Sequence, residues 1–185
     1  MITTNIDWQP AHLENELVKL IPLATSDFER LFTVASDPLI WAQHPSSNRY
    51  QREVFQAYFD AAIAAGTAFL VTEKSSGEVV GCTRYYDYKP GASIAIGFTF
   101  LARRVWGGDF NKAVKRLMID YAFQFVETIY FHIGATNIRS QLATAKIGAV
   151  KVNEMEIENN GQKQLHFEYA IRRSSGAIHA NTPVE

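Results

Sequence analysis

The stretch "FLARRVWGGDFNKAVKRLMIDYAF", residues 100–123, starts apolar, passes Arg103 and Arg104, tightens at Gly107-Gly108 and then turns helical. In its second part Val114, Leu117, Met118, Tyr121, Ala122 and Phe125 recur at helical spacing, one apolar stripe for a core. A helix start exposes unpaired N–H groups and the positive end of the dipole, a combination that suits phosphate. Glycine just before it lets a ligand approach the backbone with no Cβ in the way. The same residues serve equally as a plain joint between strand and helix. They fit neither G-x-x-x-x-G-K-[ST] nor G-x-G-x-x-G.

Working outward, seven strands are expected: 17–23, 67–73, 79–88, 93–101, 128–136, 149–157 and 163–172. Short turns join the second, third and fourth ("KSSGE" and "KPGA"), which implies an antiparallel meander, and Asn160-Gly161 favours a tight hairpin between the last two. Helices are expected after Ser26 or Thr25 as cap, with Glu29 at capping-box distance from Ser26, and over 51–65 with Gly66 as stop. Two more follow the glycine turn and fill "NIRSQLATAKIGA". The reading is one mixed α/β domain over residues 1–185, ordered from about 17 to 172, with 173–185 a loose tail.

Composition limits the function. The chain has 185 residues, enough for one substantial core, and nearly half are hydrophobic. A net charge of -1 supplies no whole-protein field toward nucleic acid or an acidic membrane, so neither is expected as a partner. The single cysteine, Cys82, forms no internal disulfide or thiolate zinc site; it is expected as a small buried apolar residue, and no metal is expected. The first ten residues lack a charged region followed by an apolar run, and no stretch approaches membrane-spanning length. A cytoplasmic protein is the expectation, with a homodimer left open.

The run "IGFTFLARRVWGGDFNKAVKRLMIDYAF…FHIGATNIRSQLATAKIGA" resembles the GNAT acetyltransferase superfamily, and most of all its ribosomal-protein N-terminal alanine acetyltransferases. The resemblance covers roughly residues 17–172. It implies a central mixed, mostly antiparallel sheet with helices on both faces, splayed between the fourth and fifth strands. It implies acetyl-coenzyme A as co-substrate, with pantetheine pairing to Thr99, Phe100 and Leu101 as an added strand. The family's R-x-x-G-x-G/A turn maps onto Arg104, Gly107 and Asp109. Amides of residues 104–112, including Gly108, Phe110 and Asn111, would then cradle the diphosphate, with Arg103, Arg104 and Lys112 as local cations or as solvated surface groups. The later N-x-x-S/A…K-x-G segment maps onto Asn137, Ser140, Lys146 and Gly148; Asn137 suits a pantetheine amide or the cap of its own helix. Trp41, His44, Arg49, Arg84 and Tyr85 are the expected acceptor pocket, although core packing accounts for Trp41 and Tyr85 almost as well.

The sequence departs from the family at three positions. Asp109 replaces the second glycine or alanine of the turn; as a helix cap it would compete with phosphate, and a like charge at about 4 Å costs roughly 1 to 4 kcal/mol. Ala95 stands where many relatives carry a glutamate base, and Thr144 where many carry a tyrosine acid. His132 is the remaining base candidate, or else a satisfied core histidine. With no base, the rate would follow the acceptor's own ionisation. An α-amine with pKa about 7.8 is roughly a quarter neutral at pH 7.4, against about one lysine in a thousand. The expected function is N-acetyl transfer to a protein N-terminus or small amine by direct attack in a ternary complex. A non-catalytic coenzyme A-binding module and a purely structural domain are the alternatives.

Overall fold

The computed structural model describes residues 6–159 and 161–174, so the expected tail from 175 onward and the Asn160 half of the hairpin turn lie outside the described residues. The strands are β1 (Leu13–Glu14), β2 (Val18–Pro22), β3 (Ala68–Glu73), β4 (Val79–Lys89), β5 (Ser93–Leu101), β6 (Thr128–Gly134), β7 (Val150–Asn159) and β8 (Gln162–Arg172). The helices are α1 (Phe28–Ala35), α2 (Pro38–Trp41), α3 (Arg52–Ala65), α4 (Phe110–Ala122) and α5 (Ile138–Lys146). One eight-stranded sheet has the order β1-β2-β3-β4-β5-β6-β8-β7, antiparallel except between β5 and β6. The strand beyond the expected seven is β1, a two-residue pairing of Leu13 and Glu14 with Leu20 and Lys19, too short for any periodicity to announce.

The helices follow local chemistry. Gly66 closes α3 in the left-handed region, φ 63°, and its N–H reaches Ile63 O at 3.1 Å. Pro38 opens α2, and Asp37 Oδ1 accepts the Leu39 N–H at 3.0 Å. The expected cap of α1 is corrected: neither Thr25 nor Ser26 caps it. A 3-10 turn over Thr25–Asp27 precedes the helix, and the Asp27 carboxylate, buried and paired with Arg30, accepts the Ala24 N–H at 3.0 Å.

The two faces of the sheet carry separate apolar clusters. One packs α4 on β2, β4, β5 and β6 through Val114, Met118, Ile119 and Ala122. Trp8 joins it from ahead of the first expected strand, with its ring against Tyr85, Tyr121 and Phe125. The other packs α1 and α3 on the opposite face through Leu31, Phe55, Phe59 and Ala62. Each of the larger side chains contributes about 1.5–3 kcal/mol on burial, and each alanine methyl about 0.8. Among the described residues no helix is long and apolar enough to cross a membrane.

Candidate active site

Strand β5 pairs with β6 only at Ser93–Thr128, Ile94–Ile129 and Ala95–Tyr130. Beyond Ala95 the two strands diverge. The cause lies on the other side of β5. Arg84 faces Gly97 and Cys82 faces Phe100, so Phe98 and Thr99 together oppose Thr83 and form a bulge. Phe98 takes a left-handed φ of 50°, costly for a bulky residue, and Tyr58 Oη holds its carbonyl at 2.6 Å. The expected splay between the fourth and fifth long strands is therefore present. A cavity of about 1000 Å³ fills it, walled by β5, β6, the loop after α2, the glycine turn and α5.

At the turn end the geometry is mostly backbone. Gly107 has φ 76°, and a Cβ there would meet nothing within 4 Å, so the approach is open. Gly107, Gly108, Asn111 and Ser140 line the cavity. Phe110 packs against the α4 core, and Lys112 and Asp109 are exposed away from the lining. Asp109 stands at the N-cap position, yet its side chain makes no capping hydrogen bond, which corrects its expected role as a cap. Arg103 is engaged with Asp37, and Arg104 with Glu73 and Glu78, so their charge is already answered on the surface. The guanidinium at the cavity wall is instead Arg139. It lies over the Trp106 ring at 3.8 Å and donates to Ile40 O at 2.9 Å. Sequence reading passed over it within "NIRS".

Asn137 does cap α5: its Oδ1 accepts the Ser140 N–H at 3.2 Å, and its amide nitrogen can still donate to a ligand in the cavity it lines. Thr99, Phe100 and Leu101 line the cavity along the β5 edge, and Leu101 O already accepts Trp106 Nε1 at 2.8 Å.

Deeper along the gap the geometry is made by side chains. Ala95 and Thr144 are both buried on the wall. His132 stands between two partners: Nε2 is 2.9 Å from Glu168 Oε2, and Nδ1 is 2.8 Å from Tyr86 Oη. A carboxylate only accepts, so Nε2 carries the proton of the neutral ring and Nδ1 accepts from the Tyr86 hydroxyl. Tyr86 and Glu168 were not expected here. Tyr85, which was, is corrected: it is fully buried in the α4 core with its hydroxyl on Met118 O at 2.6 Å. Adjacent strand residues face opposite ways, so Tyr86 takes the cavity. Gly97 lets it, because a Cβ there would lie 2.9 Å from Tyr86 Cε1.

Trp41, His44 and Arg49, three of the residues expected around an acceptor, line the cavity, whereas Arg84 lies against the Phe98 ring at 3.5 Å and outside the lining. Cys82 is buried, and burial pushes its thiol up to about 11. The largest surprise is Lys115. It sits among the buried residues of α4, lines the cavity, and among the described residues donates a hydrogen bond only to Thr99 Oγ1, at 2.6 Å; burial pushes its ammonium down to about 7.

These features are those of an acyltransferase fold, and the comparisons agree. Residues 18–150 match the family model described as an acetyltransferase (GNAT) domain. The chain belongs to the GNAT acetyltransferases, acetyl-coenzyme A-dependent N-acetyltransferases. No curated protein matches it in sequence. Among solved structures it is similar to the GNAT acetyltransferase from Bacillus anthracis, with TM-score 0.72 and 16% identity over 86% of this chain and 97% of that one. It is similar to spermidine N-acetyltransferase from Vibrio cholerae, solved with CoA and spermine: TM-score 0.66, 16% identity, 85% and 96% covered. It is also similar to ribosomal-protein-S5-alanine acetyltransferase from Vibrio fischeri: TM-score 0.62, 20% identity, 88% and 96% covered. At these identities the likeness is one of fold.

Proposed function

We propose that the protein transfers acetyl from acetyl-coenzyme A to a primary amine by direct attack in a ternary complex, with Tyr86, His132 and Glu168 carrying the amine's proton away. The observation behind this reading is the Tyr86–His132–Glu168 chain of hydrogen bonds on the wall of the unpaired β5/β6 gap. The acyl donor supplies a thioester carbonyl and a thiol leaving group.

The residues present fit that donor. The edge of β5 beyond Ala95 has no strand partner on the β6 side, Gly107 leaves the turn open, and Arg139 with the Asn137 amide faces the same cavity. Backbone groups of Ile96 to Leu101 would hold the pantetheine arm, and the amides after Gly107 the diphosphate. The Tyr86 oxygen receives a proton from the acceptor ammonium while its own proton passes to His132 Nδ1, and Glu168 stabilises the imidazolium that results. This replaces the expectation of a site without a base, and it disfavours a non-catalytic coenzyme-binding module, which would need no such chain.

Free thiol release from acetyl-coenzyme A, measured against pH with amines of different pKa, tests the reading. A rising limb whose midpoint stays fixed across amines, and which His132→Ala erases, is the expected result. A limb that moves with each amine's own pKa would remove His132 from the reaction.

A further inference from the structure

Six arginines on the outer surface meet carboxylates: Arg30, Arg52, Arg103, Arg104, Arg116 and Arg173. Arg49 and Arg84, beside the deep end of the cavity, meet none among the described residues. This reverses what solvation favours, since a guanidinium withdrawn from water needs its counterion most. Arg49 stacks on Trp41 and Tyr58, with 5.2 and 4.8 Å to the ring centroids. Tyr58 is no counterion: its phenol is deeply buried, its pKa is pushed up, and it donates to Phe98 O. Arg84 Nε is buried with no hydrogen-bond partner among the described residues.

The neighbouring imidazole adds a third donor. His44 Nδ1 accepts the Ser46 N–H at 2.9 Å, so the proton of the neutral ring sits on Nε2. Arg49 Nη1 lies 3.5 Å from that Nε2, one N–H group against another. Burial and the Arg49 charge push His44 down to about 3, in keeping with a ring that stays neutral. Two donor groups thus lie side by side on the cavity wall with no acceptor between them. The spot adjoins the Tyr86 relay: Tyr58 and Tyr86 both contact the Phe98 ring, at 6.4 and 5.1 Å between centroids.

We propose that the acceptor is an amine that also carries a carboxylate, an amino acid rather than a protein terminus or a plain amine, and that Arg49 and His44 Nε2–H receive that carboxylate. The inference rests on the acyl-transfer reading above. A planar guanidinium matches a carboxylate in bidentate geometry, and the two aromatic faces fix its plane. The lining carboxylates Asp87, Glu158 and Glu168 stand on strands β4, β7 and β8, whereas Arg49 and His44 stand on the loop after α2, so one cavity offers both signs of charge to a zwitterion. In the reaction the ammonium first loses one proton to the relay. The amine nitrogen then bonds the thioester carbon as the carbon–sulfur bond breaks, and the second nitrogen proton ends on the departing thiolate. The products are N-acetyl amino acid, coenzyme A thiol and one released proton.

The test compares L-amino acids with their carboxamides and decarboxylated amines, and with dipeptides, by thiol release. The acids should exceed their carboxamides at least tenfold in kcat/KM, mainly through KM. Arg49→Gln should bring that ratio close to one, and Arg49→Lys should restore part of it. Thermal melting and coenzyme A titration of each variant report whether it is folded. Calorimetric titration of the protein with an N-acetyl amino acid and its N-acetyl amide reads the same subsite without turnover, and the acid should bind at least tenfold more tightly. Equal turnover of acid and amide, better turnover of dipeptides, or equal binding of the two products would overturn the carboxylate subsite while leaving amine acetylation standing. Acid-selective, Arg49-dependent binding with no thiol release from any amine would keep the subsite and sink the acyl-transfer reading instead.

Discussion

The two ends of the cavity are built from different materials. At the turn end, φ 76° at Gly107, the start of α4 and the free edge of β5 present backbone groups, with side chains such as Arg139 and the Asn137 amide beside them. At the deep end the working groups are side chains gathered from β4, β6, β8 and the loop after α2. Backbone recognition tolerates exchange of side chains but not a change of local conformation; side-chain recognition behaves the other way round. The two ends should therefore fail separately.

The largest separation is expected from Tyr86→Phe. The ring keeps its place over Gly97 and against Phe98 and loses only the hydroxyl on His132. The kcat should fall about a hundredfold, in the range of general acid–base catalysis, with coenzyme A affinity within about twofold by calorimetry. If both quantities fell together, the two ends would not be independent. Gly107→Val should do the converse. A β-branched residue at positive φ is strained and crowds the phosphate approach, so coenzyme A should bind at least about tenfold more weakly. Unchanged affinity in a folded variant would move the diphosphate elsewhere.

Lys115 tests the floor between the two ends through stability. Its ammonium is pushed down to about 7 in the folded chain, against about 10.4 when unfolded. Between those values the unfolded chain holds a proton that the folded chain does not, so stability rises with pH across that window, and the penalty is complete below 7. Lys115→Met should accordingly raise Tm more at pH 6 than at pH 10. An equal gain at both would mean that the amine is not desolvated. The smallest effect belongs to Asp109→Asn. The carboxylate caps nothing, so Tm should barely move, while coenzyme A should bind about twofold tighter at low salt and less so at high salt. Weaker binding would show that the carboxylate organises the turn.

The same division explains what the sequence revealed. The meander, the glycine turn and the stop at Gly66 follow from periodicity and backbone chemistry, which single residues report locally, while the splay was implied only by the family resemblance. The deep end depends on parity and register. The β4/β5 ladder shifts between Cys82 and Arg84 and again between Tyr86 and Lys89, and no residue type announces those shifts. That is why Tyr85 and Tyr86 exchange roles. Glu168 reaches His132 only because β8 lies antiparallel to β6 with those two residues opposite, although 36 positions separate them in sequence. Lys115 was hidden for a different reason: a lysine reads as solvent-facing, and the buried stripe of α4 is rotated to include it in place of Leu117 and Tyr121. Trp8 precedes any periodic segment and gave no signal.

The three residue pairs joining β5 to β6 make the eight strands into two plates, five strands on one side and three on the other, connected by a weld at one corner. Helix α4 lies across the seam and packs on both plates, through β2, β4 and β5 on one and through Ile129, Phe131 and Ile133 of β6 on the other. It works as a brace, and the stiffness of the mouth is set by the side chains under that brace, not by sheet hydrogen bonds. A load that shears the plates apart meets the corner weld, the brace and the polar links that cross the gap, Tyr86 to His132 and Arg139 to Ile40 O.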